Sequence, residues 1–215
     1  MDSKTTELRE AHDVLAEFYA ERLAGALDEM PVDRAVLGLF REWVLEAGGP
    51  GAAVGDIGCG SGRLAPYLAA AGLAPHGVDL SPEMVRVARR DHPGIPFDVA
   101  DLRELPFDDA SLSGALCWYS LMYLAPADRR SAFGELARVV APGGYLATAF
   151  KAGDDTLRRG GRTLDLGIEF DIYWYSPEEM ERRFTEAGFR AVYWAGRPAD
   201  PTEPQPQAYL VGRRL

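Results

Sequence analysis

Apolar positions recur at helical spacing from about Thr6 to Leu27, at Leu8, Val14, Leu15, Phe18, Leu23 and Leu27, and predict a leading helix. Pro31 opens a second helix through Ala47, which "GGPG" stops. The pattern then shortens. "AAVGDI", "PHGVDL", "IPFDVA", "LSGALCWYS" and "GGYLATAF" read as five buried strands. Helical segments separate them: "GRLAPYLAAAG" closed by Gly72, "PEMVRVARRD" capped by Ser81, and a stretch from about Pro126 to Val140. Strand alternating with helix calls for a parallel sheet covered on both faces.

Beyond Phe150 the character changes. "KAGDDTLRRGGRT" reads as a charged loop and "DLGIEFDIYWY" alternates like a strand. Ser176 caps a helix through Ala187. "GFRAVYWAG" and "QAYLVGRR" then follow as two strands with no helix between them, a closing hairpin whose last strand runs antiparallel. The expected organisation is one domain: a helical cap over 1–48, a ligand-binding core over 49–150, a substrate-side insertion over 151–175, and a closing helix and hairpin over 176–215.

Composition narrows the function classes. The 215 residues are 47% hydrophobic and 26% charged, enough to bury a sizeable core. The formal net charge of −10 repels a phosphate backbone, so nucleic-acid binding is not expected. No run approaches the roughly 20 apolar residues of a membrane span, and "MDSKTTELREAHD" is unlike a signal peptide. A cytoplasmic protein, monomeric or homodimeric, is the expectation. Cys59 and Cys117 lack a paired spacing and read as reduced small residues, and no metal site is expected.

The chemistry concentrates in "AVGDIGCGSGR", Ala53 to Arg63. Gly58, Gly60 and Gly62 behind the first strand permit close backbone approach at the carboxyl end of a sheet, where such folds bind ligands. The spacing is G-x-G-x-G, not the G-x-G-x-x-G of dinucleotide sites. Asp56 precedes the loop. Asp79 ends the second strand, where a carboxylate can accept from ribose hydroxyls. Asp101 follows the third strand and suits an exocyclic amine, with the Leu102 backbone beside it.

"VGDIGCGSGR", "GVDLSPEMVRVAR", "VADLRELPFDDASL" and "ARVVAPGGYLATAF" resemble the successive motifs of class I S-adenosylmethionine-dependent methyltransferases of the small-molecule type. The resemblance runs from about Ala52 to Phe150, and "YSPEEMERRFTEAGFRAVYW" is similar to the family's closing segment. It implies an α/β, Rossmann-like sheet of seven strands, mostly parallel with the last antiparallel. It implies S-adenosyl-L-methionine as cofactor, with S-adenosyl-L-homocysteine as product. By the same resemblance Gly58, Cys59 and Gly60 line the methionyl part, Asp79 takes the ribose, and Leu80 packs on adenine. Asp101 and Leu102 read the adenine edge, and Cys117 and Trp118 border the methyl group. Tyr19 sits in an "AxxYA" helix that related enzymes place near the cofactor carboxylate. Two positions depart from the family pattern: Ser113 stands where an acid is common, and Met122–Tyr123 supplies no histidine base.

The acceptor side is open. Trp118 and Tyr123 are expected in the pocket and Tyr119 in the core. Alternation in "FDIYWYS" puts Phe170, Ile172 and Trp174 on one face and Asp171, Tyr173 and Tyr175 on the other, one core and one nearer substrate. Tyr173 and Tyr175 are carried as substrate candidates. His12 shares a helical face with Tyr19, either inward over the site or packed and solvated like His76 and His92. His12, Tyr123, Glu169 and Asp171 are the candidate bases, needed only for a hydroxyl acceptor. The expected reaction is methyl transfer to a small molecule; the alternative is a relative that holds the cofactor but cyclises or serves as a scaffold. "RRGGR", Arg158 to Arg162, reads as a solvated loop.

Overall fold

A computed structural model describes residues 2–153, 166–201, 203 and 205–215, with the backbone of 156–160. The side chains of Arg158 to Arg162 fall outside the described residues.

Two helices lead, α1 (Ser3–Leu23) and α2 (Pro31–Gly48). Asp2 caps α1 by accepting from Thr5 N at 3.0 Å. The leading helix stops short of Leu27 because Gly25 takes a left-handed φ of 70°, and a short 3-10 turn, Ala26–Glu29, follows. Strands and helices then alternate: β1 (Ala53–Ile57), α3 (Ala65–Ala70), β2 (Ala74–Asp79), α4 (Pro82–Asp91), β3 (Phe97–Val99) and β4 (Leu112–Trp118). α5 (Arg129–Val139) and β5 (Val140–Lys151) complete the alternation. The loop expected after Phe150 contains a strand, β6 (Thr156–Gly160), paired antiparallel with β7 (Glu169–Tyr173). α6 (Pro177–Glu186), β8 (Phe189–Arg197) and β9 (Gln207–Arg214) close the chain.

Seven strands form one sheet in the order β3-β2-β1-β4-β5-β9-β8. The first five are parallel, and β9 lies antiparallel between β5 and β8. This is the expected mostly parallel, Rossmann-like sheet with its last strand antiparallel. The order reverses between β1 and β4, the place where open α/β sheets bind ligands. Period-two alternation sorts the core. Cys117, Leu146, Phe150 and Leu210 face α5 and α6, while Leu116, Trp118, Ala149 and Tyr209 face α2. Among the described residues no helix is long and apolar enough to cross a membrane.

α1 lies across α4 and β7. Ala11, Leu15 and Ala16 pack with Met84, Val87, Phe170 and Ile172. Asp13 accepts from Ser81 Oγ at 2.5 Å and Glu83 N at 3.2 Å, placing a carboxylate at the electropositive start of α4. Glu17 pairs with Arg86 and Arg90 at 2.8 Å each. These contacts hold α1 over the carboxyl ends of β1 and β2.

Candidate functional site

One cavity of about 460 Å³ opens there, between the β1 loop, α1, the end of β4 and β7. That volume suits a drug-sized ligand. Gly58, Gly60 and Gly62 have φ of 73°, 56° and 80°. A Cβ at Gly58 would stand 2.3 Å from Ser120 Cβ, so glycine lets β4 close against the loop; Ser120 Oγ donates to Ile57 O at 2.7 Å. At Gly60 a Cβ would meet nothing within 4 Å, so its backbone borders open space.

One end of the cavity is polar and unsatisfied. Among the described residues Asp56 Oδ2, Arg63 Nη1 and Arg9 Nε are buried without hydrogen-bond partners, and all three residues line the cavity. Burial pushes the Asp56 carboxyl up to about 7, opposed by the Arg63 charge and reinforced by Asp79. Buried polar atoms are normally paired. A buried carboxylate with the Arg63 charge near it, and the Arg9 guanidinium lining the same cavity, suit a zwitterion, with its ammonium toward Asp56 and its carboxylate toward the arginines. Arg9 and Arg63 were not singled out in the sequence, where each is one arginine among many; only the docking of α1 and the turn into α3 bring them to one cavity.

Asp79 stands beside this end. Its Oδ2 accepts from Gly60 N at 2.8 Å and its Oδ1 from Ser81 N at 3.0 Å, leaving further lone pairs on both oxygens. Burial raises its pKa, countered by the Ser81 and Gly60 backbone bonds. Leu80 and Leu102 line the adjoining wall. Asp101 is there too, but Arg103 grips both its oxygens, at 2.9 and 2.6 Å, and reaches on to Thr5 and Asp2 of the leading segment. Asp101 therefore also anchors α1.

The aromatic wall differs from the expectation at several positions. Trp118, Tyr123 and Tyr173 line the cavity, as do Asp171, Tyr19 and His12. Tyr119, expected in the core, lines it as well, because its left-handed φ of 59° just past β4 breaks the strand alternation. Cys117 does not border the cavity; it is fully buried in the core on the α5 side, one residue out of phase with Trp118. Tyr175 does not line it either. β7 ends at Tyr173, and Tyr175 turns into the core, its hydroxyl on Leu121 O at 3.3 Å and the Arg129 guanidinium 3.8 Å from its ring centre. Glu169 is exposed and away from the cavity lining. His12 faces inward with its ring 4.7 Å from Tyr123, and its Nδ1 lies 2.9 Å from Leu8 O. A carbonyl can only accept, so Nδ1 carries the proton and Nε2 of the neutral ring is an acceptor. Among the described residues no group of three or more His, Cys, Asp or Glu could hold a metal ion.

Behind Trp118 sits a buried carboxylate that the sequence did not mark. Asp33 of α2, 2% exposed, accepts from Trp118 Nε1 and from the Tyr209 hydroxyl, each at 2.9 Å. It fixes the indole that forms one cavity wall. Asp33→Ala strands the Trp118 indole N–H and leaves the Tyr209 hydroxyl only the Tyr119 hydroxyl at 3.3 Å, and thermal or urea unfolding is expected to show a loss of about 2–5 kcal/mol; a loss under 1 kcal/mol would remove this bracing role.

Comparison with known proteins agrees with this geometry. A family model described as "Methyltransferase domain" matches residues 54–144. The chain is 31% identical over 144 residues to the O-methyltransferase cnsE of Penicillium expansum, covering 64% of this chain and 51% of that protein. It is 38% identical over 91 residues to the malonyl-[acyl-carrier protein] O-methyltransferase of Erwinia billingiae, covering 42% of this chain and 36% of that protein. The chain thus spans about half or less of the length of these curated relatives. Magnesium protoporphyrin IX methyltransferase from Synechocystis PCC 6803, solved with bound S-adenosylmethionine, superposes with a TM-score of 0.73 at 18% identity, covering 100% of this chain and 99% of that one.

Proposed function

Because the chain belongs to the class I S-adenosylmethionine-dependent methyltransferase family, we propose that it transfers the methyl group of S-adenosylmethionine to a small-molecule acceptor. The observation that carries this reading is the set of buried, unpartnered polar atoms on Asp56, Arg63 and Arg9, residues that line one cavity with Asp79. Such a set fits a cofactor with an amino-acid end and a ribose.

When bound, the cofactor supplies a sulfonium methyl already activated for displacement. Asp56 would hold its ammonium, and Arg9 and Arg63 its carboxylate. Asp79 would accept from the ribose hydroxyls, while Leu80 and Leu102 enclose the adenine with Asp101 at its edge. The backbone at Gly58, Cys59 and Gly60 would come close, with no Cβ at Gly60 to fill the open space it borders. What remains for the protein is alignment of acceptor and methyl, which can contribute about 7–11 kcal/mol. Trp118, Tyr119 and Tyr123 would form that acceptor wall. For a hydroxyl acceptor, His12 Nε2 would take the proton, its ring oriented by the Leu8 carbonyl.

Calorimetry with S-adenosylmethionine, S-adenosylhomocysteine and NAD tests the cofactor. Both sulfur ligands are expected to bind and NAD is not; failure of both sulfur ligands sinks the assignment. Release of S-adenosylhomocysteine across a panel of hydroxyl, amine and carboxylate acceptors then separates methylation from a cyclase or scaffold role.

A further inference from the structure

The far end of the cavity carries an unsatisfied acceptor of its own. Lys151 of β5, Gln207 of β9 and Arg197 of β8 are direct neighbours in one row across the sheet. One row back, Trp118, Ala149 and Tyr209 are in register on the same face, since side chains two residues apart along a strand share a face. Lys151, Gln207 and Arg197 all line the cavity.

Gln207 is 2% exposed. Its Nε2 donates to the Gln205 carbonyl at 3.2 Å, which fixes the amide orientation, since a flipped amide would set two oxygens face to face. Its Oε1 therefore points elsewhere, and among the described residues it is buried with no hydrogen-bond partner. The Arg197 guanidinium does not satisfy it, being held by Glu203 in a two-pronged pair at 2.5 and 2.7 Å. A buried amide oxygen without a donor is costly, and Gln207 lines the cavity from which a ligand can supply one. The neighbouring walls are flat and aromatic: Trp118 and Tyr119 sit 6.3 Å apart, ring centre to ring centre, edge to face.

We propose that this row closes the acceptor subsite and that the subsite takes a flat phenolic compound, whose hydroxyl donates to Oε1 of Gln207. The rings supply apolar faces for an aromatic body, and Gln207 supplies an acceptor that distinguishes a phenol from its ether. The proposal rests on the reading that this cavity holds both methyl donor and acceptor.

A matched pair of probes tests it: 2-naphthol, which has the donor, and 2-methoxynaphthalene, which does not. Each is titrated into the full chain by ligand-observed NMR, with and without S-adenosylhomocysteine. The wild type is expected to prefer 2-naphthol by roughly tenfold, the worth of one neutral hydrogen bond. Gln207→Met keeps the length and removes the acceptor, and is expected to bring the two probes within about twofold of each other. Gln207→Glu keeps an acceptor and is expected to retain the preference, which guards against a packing effect of methionine. Thermal unfolding of each variant, run alongside, identifies one that does not fold, and the wild-type comparison decides the matter in that event. Equal binding of the two probes to the wild type, no binding of 2-naphthol, or an undiminished preference in folded Gln207→Met would overturn the proposal. The S-adenosylhomocysteine titration reports separately on the cofactor reading. Cofactor binding without naphthol discrimination defeats the subsite alone, and the reverse defeats the cofactor assignment alone.

Discussion

Asp79→Ala is expected to lower affinity for S-adenosylhomocysteine by about 10²-fold to 10⁴-fold in calorimetric titration. The carboxylate is buried, and two backbone N–H groups, of Gly60 and Ser81, aim it at the cavity. In the proposed complex it accepts from both ribose hydroxyls, each charge-assisted bond contributing about 1.5–3 kcal/mol. The variant also frees the Gly60 amide, so the glycine loop keeps its Gly58 and Cys59 bonds to Val78 O but loses a third tether to β2, and preorganisation falls further. Asp79→Asn keeps one carbonyl acceptor but turns an amide donor toward one of those N–H groups, and should lie between wild type and alanine. Circular dichroism of the unliganded variant separates lost binding from lost fold. A folded Asp79→Ala protein with wild-type affinity would remove Asp79 from the site.

The second large effect is a pH dependence centred on Asp56. Its folded-state pKa is raised to about 7 from an ordinary 3.8, chiefly by burial. Below about pH 4 the group is protonated whether the chain is folded or not. As pH rises, the unfolded chain releases the proton first, so this contribution to stability is lost steadily until about pH 7, where the slope ends. A shift of this size is worth up to about 4 kcal/mol. Asp56→Asn removes the charge, so urea unfolding of the unliganded variant at about pH 8 should show a more stable protein than wild type, with the gap closing toward pH 4.

Binding should run the other way. A ligand ammonium opposite Oδ2 favours the carboxylate, so binding below pH 7 expels a proton. Affinity for S-adenosylhomocysteine should then climb with pH, by at most about tenfold per unit, and level off near pH 7. Asp79, also raised by burial, contributes a similar trend, so the diagnostic quantity is the difference between wild type and Asp56→Asn. Titrations in buffers of different ionisation enthalpy measure the released proton directly. An identical pH profile in the two proteins would exclude Asp56 as the ammonium partner.

Much of the cofactor end could be read from the chain because its determinants are local. The glycines sit within five positions, Asp79 ends the next strand, and Asp101 follows the one after. Each position is set by where a strand ends, and short apolar runs mark those ends. Placement of the aromatic residues needed more. Alternation correctly paired Phe170 with Ile172 and Asp171 with Tyr173, but two faces of a strand are equivalent until something packs on one. α1 supplies that partner: it covers Phe170 and Ile172 and leaves Asp171 and Tyr173 toward the cavity. The pattern also failed wherever a strand had already ended, since Tyr119 and Tyr175 lie beyond β4 and β7 and no longer follow their phase.

The sequence by itself determined the order of strands and helices, the sheet class, and the glycine loop with the acids around it. These follow from hydrophobic periodicity and backbone geometry over a few residues. Only the tertiary structure decided which polar groups are buried without partners and which are braced. Asp33 meets Tyr209 across 176 positions, Arg9 lines the same cavity as Arg63 because α1 docks on α4, and Gln207 reaches the cavity because β9 inserts between β5 and β8. Burial and pairing are properties of a packed environment, and no local pattern encodes a partner that the fold brings from the other end of the chain.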